Sequence, residues 1–254
     1  MQQLDGAPAP PSELQALALV NFGHFTTMRV TRAAVRGRDL HLARLARDAR
    51  TLFDIALDPV LVRTRLREAL ADEPDDVVAR VTVFDPALPL ERTGAPASPR
   101  ILVTPRPAPR GPASALRLRS TAYRRDAPRI KHTGLFGALA ERRAAQRAGF
   151  DDAVFADAEG RLSEGPTWSL GFWDGDGIVW PEADVLEGVT RSLLGGGTRE
   201  IRRRDLSRMR AAFTANAGTG IRPVASIDDV TWDAGHPALA RIAASYEAIA
   251  PQPL

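Results

Sequence analysis

The sequence predicts an α+β fold of two domains, and three observations carry that expectation. Strand-like and helix-like segments are mixed without the regular strand–helix alternation of a doubly wound sheet. No GxGxxG or GxxxxGK[ST] loop joins a strand to a helix, so nucleotide-binding folds receive no support. A proline-rich stretch, PRPAPRGPAS at 105–114, interrupts the chain near its middle. A boundary there gives a small N-terminal α+β domain, 1–112, and a larger C-terminal domain, 113–254. The other reading of the stretch is one long surface loop. With 254 residues, 44% of them apolar, the chain can fill the cores this requires.

The opening MQQLDGAPAPPSELQ lacks the basic start and apolar centre of a secretory signal and reads as a frayed tail. Residues 16–30 are apolar and rich in β-formers, which predicts a strand. Over 38–56, Leu42, Leu45, Ala49, Leu52, Phe53 and Ala56 recur at helical spacing. A second helix is expected over 59–71, with Asp58 as N-cap and Pro59 in its first position. DVVARVTVF (76–84) and RILVT (100–104) read as buried strands, and the second half restarts with a strand at 115–123. Residues 135–149 form a helix ended by Gly149. DDAVFADAEGRLSEG predicts a strand, a turn at Glu159-Gly160 and a returning strand, and the next segment repeats that pattern around DGDG. VLEGVTRSLL reads as a loop opening a helix, REIRRR, MRAAFTAN and IRPVAS as strands, and 237–250 as a closing amphipathic helix.

Charge and composition exclude several functions. The 34 basic and 31 acidic residues leave a net charge of only +3, and the two signs are interspersed. The densest basic stretch, Arg199 with Arg202, Arg203 and Arg204, is broken by Glu200 and Asp205. That is not the one-signed stripe of a nucleic-acid binder. No apolar run is long enough to span a bilayer. There is no cysteine, hence no disulfide, thiolate metal site or cysteine nucleophile, which fits the cytoplasm. His24, His41, His132 and His236 lack metal-ligand spacing, so no metal site is expected.

One compositional fact is sharper. Among the 34 basic residues, Lys131 is the only lysine. Arginine can replace lysine wherever only charge matters, but it cannot supply a primary amine that forms an imine. Lys131 is therefore either a chance survivor on the surface or an amine required for chemistry.

Pyridoxal phosphate (PLP) chemistry needs such an amine. It also needs a carboxylate for the pyridine nitrogen, an anchor for the phosphate, and a base to move the substrate's α-proton. Glu164, in RLSEG after a turn, is a candidate carboxylate. Gly188, Val189 and Thr190 open a helix and could hold a phosphate, as could Arg44 in HLARL. Taken singly, each has a plainer reading: a solvated Arg44, an exposed Glu164, a loop Gly188, an N-cap Thr190.

FTTMRV, HLARLARDARTLF, IKHTG, AGFDDAVFADAEGRLSEG and VLEGVTRSLL stand in this order between about residue 20 and residue 225. Together they resemble the class IV aminotransferases, the fold-type IV PLP enzymes. That group includes branched-chain and D-amino acid aminotransferases and 4-amino-4-deoxychorismate lyase. The resemblance implies a small α+β N-terminal domain, a larger barrel-like C-terminal domain, PLP between them and a homodimer. It implies that Lys131 holds the cofactor and shuttles the proton, and that Glu164 meets the pyridine nitrogen. Arg44 and the Val189 and Thr190 amides would bind the phosphate, with further contacts from Ala217 and Gly218. Thr27, Arg29, Arg80 and Arg106 are candidate substrate contacts by position, and arginine suits a carboxylate.

The chain departs from its relatives in places. Phe136 and Phe25 stand where many relatives carry a cofactor-facing tyrosine, and Ser169 where an asparagine is frequent. FTTMRV is lyase-like, but the arginine- and glycine-rich stretch that lyases carry after the VTVF-type strand is replaced by FDPALPLE. The expected reaction is therefore transfer of an amino group between an amino acid and a 2-oxo acid. The alternative is the lyase reaction, loss of pyruvate from aminodeoxychorismate to give 4-aminobenzoate. A non-catalytic relative that keeps the fold is the further alternative.

Overall fold

The computed structural model describes residues 1–111 and 113–254; Pro112, at the expected domain boundary, lies outside the described residues. The chain forms two compact units. One comprises Met1–Pro109, Ile130–Gly134 and Pro251–Leu254, the other Arg110–Arg129 and Leu135–Ala250.

The first unit begins with a hairpin of β1 (Gln3–Leu4) and β2 (Ala7–Pro8), then α1 (Pro11–Val20) and β3 (Gly23–Thr31). It continues with β4 (Ala34–Val35), α2 (Arg38–Phe53), α3 (Pro59–Leu70), β5 (Asp76–Phe84) and β6 (Arg100–Pro107). Among the described residues its sheet runs from a strand at Gln252–Pro253 through β4, β3, β5, β6 and β1 to β2, with every pair antiparallel. Side chains alternate across a strand. One face thus carries Met28, Val30, Ala79, Val81, Val83, Ile101 and Val103, which pack with Leu42, Leu45 and Phe53 of α2 and Val62 and Leu66 of α3. The register Phe25–Thr82, Thr27–Arg80 and Arg29–Val78, continued by Arg80–Thr104 and Val78–Arg106, puts Phe25, Thr27, Arg29, Arg80 and Arg106 on the other face.

The structure corrects the expectation for the N-terminus. The opening residues are not frayed: Leu4 is buried, and Asp5 accepts from the Ile101 amide at 2.9 Å and from Arg100 at 2.7 Å. Residues 16–20 are helical, not strand. Pro11 sets the first turn of α1, ALAL favours helix, and Asn21 ends it in the left-handed region at φ 51°. The expected helix over 38–56 stops at Phe53, where Asp54 turns left-handed. Asp58 caps α3 as its sequence suggests, accepting from the Val60 amide at 2.8 Å.

The second unit contains β7 (Leu116–Ala122), α4 (Phe136–Arg147), β8 (Asp152–Ala156), β9 (Ser169–Trp173), β10 (Ile178–Pro181) and α5 (Val189–Leu194). β11 (Gly197–Arg199), β12 (Ala211–Asn216), β13 (Gly220–Ile227), β14 (Val230–Thr231) and α6 (Pro237–Glu247) complete it. The sheet order is β11-β10-β9-β12-β13-β7-β8, with β14 beside β13. Parallel pairing of β13 with β7 and of β7 with β8 makes it mixed. Leu118, Val154, Leu162, Leu170, Phe172 and Val224 fill one side, while Trp180, Phe213, Leu239 and Ile242 pack α6 on the other. Gly149 follows α4 at φ 88°, a conformation that suits glycine. REIRRR is not a continuous strand. β11 ends at Arg199, and a 3-10 turn over Arg203–Arg208 begins where Asp205 accepts the Arg202 amide at 3.0 Å.

Candidate active site

Lys131 lies in the first unit, on a short segment laid along the edge of β3. The Phe25 amide donates to the Lys131 carbonyl at 2.9 Å and the Thr133 amide to the Gly23 carbonyl at 2.9 Å, with His24 opposite His132. The Lys131 amide donates to Asp48 Oδ2 at 3.1 Å. Asp48 is fully buried on α2, and its Oδ1 receives Arg47 Nη2 at 2.8 Å. The Lys131 amine stands 4.9 Å from the centroid of the Phe25 ring, and the Arg80 guanidinium stacks on the same ring at 3.6 Å.

Arg80 also donates to Thr82 Oγ1 at 3.2 Å. Burial, and then the charge of Arg106, lower its pKa to about 10. Among the described residues neither Arg80 nor Arg106 forms an ion pair with a carboxylate. Two guanidinium groups in electrostatic range without an acid are costly unless an anion joins them. Thr27 is cross-strand from Arg80 on the same face. Arg29 lies further along that face and is engaged by Asp76 at 2.7 and 2.5 Å.

Arg44 and His41, three apart on α2, share one helix face and meet Thr26. Arg44 Nη2 donates to Thr26 Oγ1 at 2.6 Å, and that hydroxyl is 2.7 Å from His41 Nδ1. Burial, with Arg44 and Lys131, pushes His41 well below its ordinary pKa. Burial, with Arg44 and Arg47, lowers His24 to about 4. Both rings are therefore neutral near pH 7, and the positive charge stays on Arg44.

In the second unit, Glu164 is buried beside β8 and β9. Its carbonyl accepts the Phe155 amide at 2.8 Å and it bridges Ser169. Oε1 receives Arg125 Nη1 at 3.3 Å and the Leu186 amide at 3.4 Å. Trp168 covers this turn, lying where a Cβ on Gly165 would come within 2.2 Å of its ring. Its indole N–H is fixed by Asp152 at 2.8 Å. Gly188 is the N-cap of α5 and offers no side-chain cap, and a Cβ there would meet Ser169 Oγ at 2.6 Å. Thr190 is buried and its hydroxyl has no hydrogen-bond partner. After β12, Asn216 Oδ1 accepts the Gly218 and Thr219 amides at 2.9 Å each, a turn that holds Ala217 between them.

The sequence-predicted residues thus fall into two sets. Lys131, Arg44, Thr27, Arg29, Arg80 and Arg106 belong to the first unit, and Glu164, Gly188, Val189, Thr190, Ala217 and Gly218 to the second. Sequence reasoning missed Thr26, Asp48, Arg125 and Trp168. His41 carried a signal, its three-residue spacing from Arg44 on a helix. Phe136, at an expected tyrosine position, is 86% exposed. Among the described residues no cluster of three or more acidic or histidine side chains could hold a metal ion, and no helix is long and apolar enough to cross a membrane.

Residues 23–227 match the family described as amino-transferase class IV. Comparison with curated proteins gives no match. Among solved structures, a branched-chain aminotransferase from the archaeon Thermoproteus uzoniensis, with norvaline, is 22% identical, covers 97% of this chain and 93% of its own, and superposes with a TM-score of 0.83. A hypothetical aminotransferase from Mycobacterium tuberculosis, in a PLP-bound form, is 19% identical over 98% of each chain, with a TM-score of 0.81. A Legionella pneumophila chain assigned as 4-amino-4-deoxychorismate lyase is 20% identical over 89% and 90%, with a TM-score of 0.73.

Proposed function

Because this chain belongs to the class IV aminotransferases, we propose that it uses PLP to transfer an amino group between an amino acid and a 2-oxo acid. The observation that carries the proposal is the placement of the only lysine: Lys131 holds its amine over Phe25, on the sheet face that also presents Arg80. PLP supplies an electron sink for the bond broken beside the substrate nitrogen.

The residues present fit that cofactor. Lys131 would be the attachment point, and its amine, when free, would take and return the α-proton. Glu164 is a buried carboxylate suited to hold the proton on the pyridine nitrogen. The orphaned Thr190 hydroxyl would gain a partner in the cofactor's phosphate, and the Val189 and Thr190 amides lie at the uncapped start of α5. Gly188 keeps that approach open, since a larger residue would press on Ser169. Arg44 supplies a fixed positive charge for the phosphate, held by Thr26. Ala217 and Gly218 add backbone contacts; the Gly218 amide is already engaged by Asn216, so Ala217 is the stronger of the two.

Arg80 and Arg106 bind the substrate carboxylate, and an anion there offsets their mutual repulsion. Thr27 borders that place, and Arg29 is an outer contact held by Asp76. The resemblance further implies a homodimer, and the lack of cysteine suits the reducing cytoplasm. A second reading, pyruvate elimination from aminodeoxychorismate, is favoured by one observation. That substrate carries two carboxylates, and the sheet face presents two arginines without acidic partners among the described residues.

Absorbance spectra of the purified protein with PLP, before and after amino donors, test the reading. The expected result is a band of lysine-linked cofactor, fixed by borohydride and absent in Lys131→Ala. Conversion to the aminated cofactor by amino acids identifies a transaminase. A stable band that only aminodeoxychorismate consumes, with release of 4-aminobenzoate, identifies the lyase. No band in the native protein overturns both.

A further inference from the structure

We infer that Asp48 is a positioning residue for Lys131: its carboxylate joins the Lys131 backbone to α2 and so fixes the direction in which the amine leaves the edge of β3. The inference rests on the reading of Lys131 as the cofactor lysine and goes beyond it.

Asp48 is 0% exposed, and an aspartate that buried is unusual unless its charge is matched. Its two oxygens do different work. Oδ1 receives Arg47 Nε at 3.1 Å and Nη2 at 2.8 Å, while Oδ2 receives the Lys131 amide at 3.1 Å. The Arg47 side chain is itself 48% exposed. Two sequence neighbours can pair at the surface, so the ion pair alone does not account for a carboxylate turned fully inward. The bond to Lys131 does.

The mechanical consequence follows from the peptide groups. The Lys131 carbonyl is held by the Phe25 amide, and its N–H goes to Asp48. With both groups anchored, the residue has little backbone freedom, and its side chain brings the amine to 4.9 Å from the Phe25 ring centroid. Thr133 adds a second tether through its hydroxyl to the Asn21 carbonyl at 2.8 Å. The α2 helix, through Asp48, thus sets the angle of an amine that belongs to a distant part of the sequence. Arg47 acts one step back, by holding the Asp48 carboxylate in register.

The test uses the full chain and the variants Asp48→Ala, Asp48→Asn and Arg47→Met. Covalent attachment of PLP is timed by borohydride fixation and mass, and exchange of the Lys131 amide is followed in the protein without cofactor. Loss of a hydrogen bond to a charged acceptor predicts attachment about tenfold slower and amide exchange about tenfold faster in Asp48→Ala. Asn keeps an acceptor for the Lys131 amide and should recover most of both losses, which a general loss of packing would not allow. Unchanged attachment in Asp48→Ala, with the native protein labelled on Lys131, overturns the inference alone. A native protein that takes no label on Lys131 overturns the underlying reading and the inference with it. If Asp48→Ala does not fold, Arg47→Met decides at a half-exposed position: attachment slowed about threefold supports the inference, and an unchanged rate overturns it.

Discussion

Replacing Asp152 with alanine should destabilise the second unit by an amount the structure allows us to work out. The Asp152 carboxylate accepts Arg142 Nε and Nη2 at 2.9 Å each, the Trp168 indole at 2.8 Å and its own neighbouring Ala153 amide at 2.8 Å. Trp168 is buried, so its stranded N–H costs about 1–3 kcal/mol. Breaking a buried ion pair costs about 3–5 kcal/mol when the partner charge is trapped. Arg142 is not trapped: its side chain is 25% exposed and keeps Thr167 at 2.8 Å, so its pair contributes nearer the ~1 kcal/mol of an exposed one. The expected total is about 2–4 kcal/mol. Urea unfolding followed by tryptophan fluorescence and circular dichroism measures it. A cycle with Trp168→Phe should be non-additive by at least about 0.5 kcal/mol, because both changes break the same bond. A loss under about 0.5 kcal/mol, or strict additivity, would refute the claim that this carboxylate secures the tryptophan. Because Trp168 packs on Gly165, next to Glu164, the same variant should also bind PLP more weakly.

Two other outcomes follow from the first unit. His24 has a folded pKa near 4 against an ordinary 6.5, so the unfolded chain binds its proton first. The stability is complete above about pH 6.5 and falls by roughly 3 kcal/mol as pH drops toward 4. His24→Gln should flatten the dependence of the urea midpoint on pH in that window, and an unchanged slope would show that other groups govern it. Arg80→Met should raise KM for carboxylate substrates about tenfold or more while PLP still attaches to Lys131; an unchanged KM would remove Arg80 from the substrate site.

Much of the architecture is legible in the sequence where local chemistry decides it. Leu42, Leu45, Ala49 and Phe53 mark the inner face of α2, Asp58-Pro59 starts α3, and Gly149 sits past the end of α4. The misread segments depend on distant partners. Nothing near Leu4 or Asp5 announces that Ile101 and Arg100 will pair with them. The ALALV run is equally apolar as helix or strand, and Pro11 and Asn21 at its two ends decide the matter. The site divides in the same way. Lys131 is legible by counting, and His41 by its spacing from Arg44. Asp48 and Arg125 are not, because an aspartate on a charged helix and an arginine in a loop look solvated until the chain brings Lys131 and Glu164 to them.

The first unit draws its pieces from three separate parts of the chain. The strand at Gln252–Pro253 pairs with β4, Leu254 is buried in the core, its amide donates to the Ala33 carbonyl and its own carbonyl accepts Arg67 Nε. A ribosome delivers these pieces in order. The N-terminal sheet therefore emerges with one edge unfinished, without the segment that carries Lys131, and waits until the second unit has been made. It cannot complete its core until residue 254 has cleared the exit tunnel, and the amine-bearing segment reaches it only after the start of the second unit has been made. Cutting the chain at the proline-rich stretch would leave the N-terminal fragment without 130–134 and 251–254, two of the three pieces its unit requires.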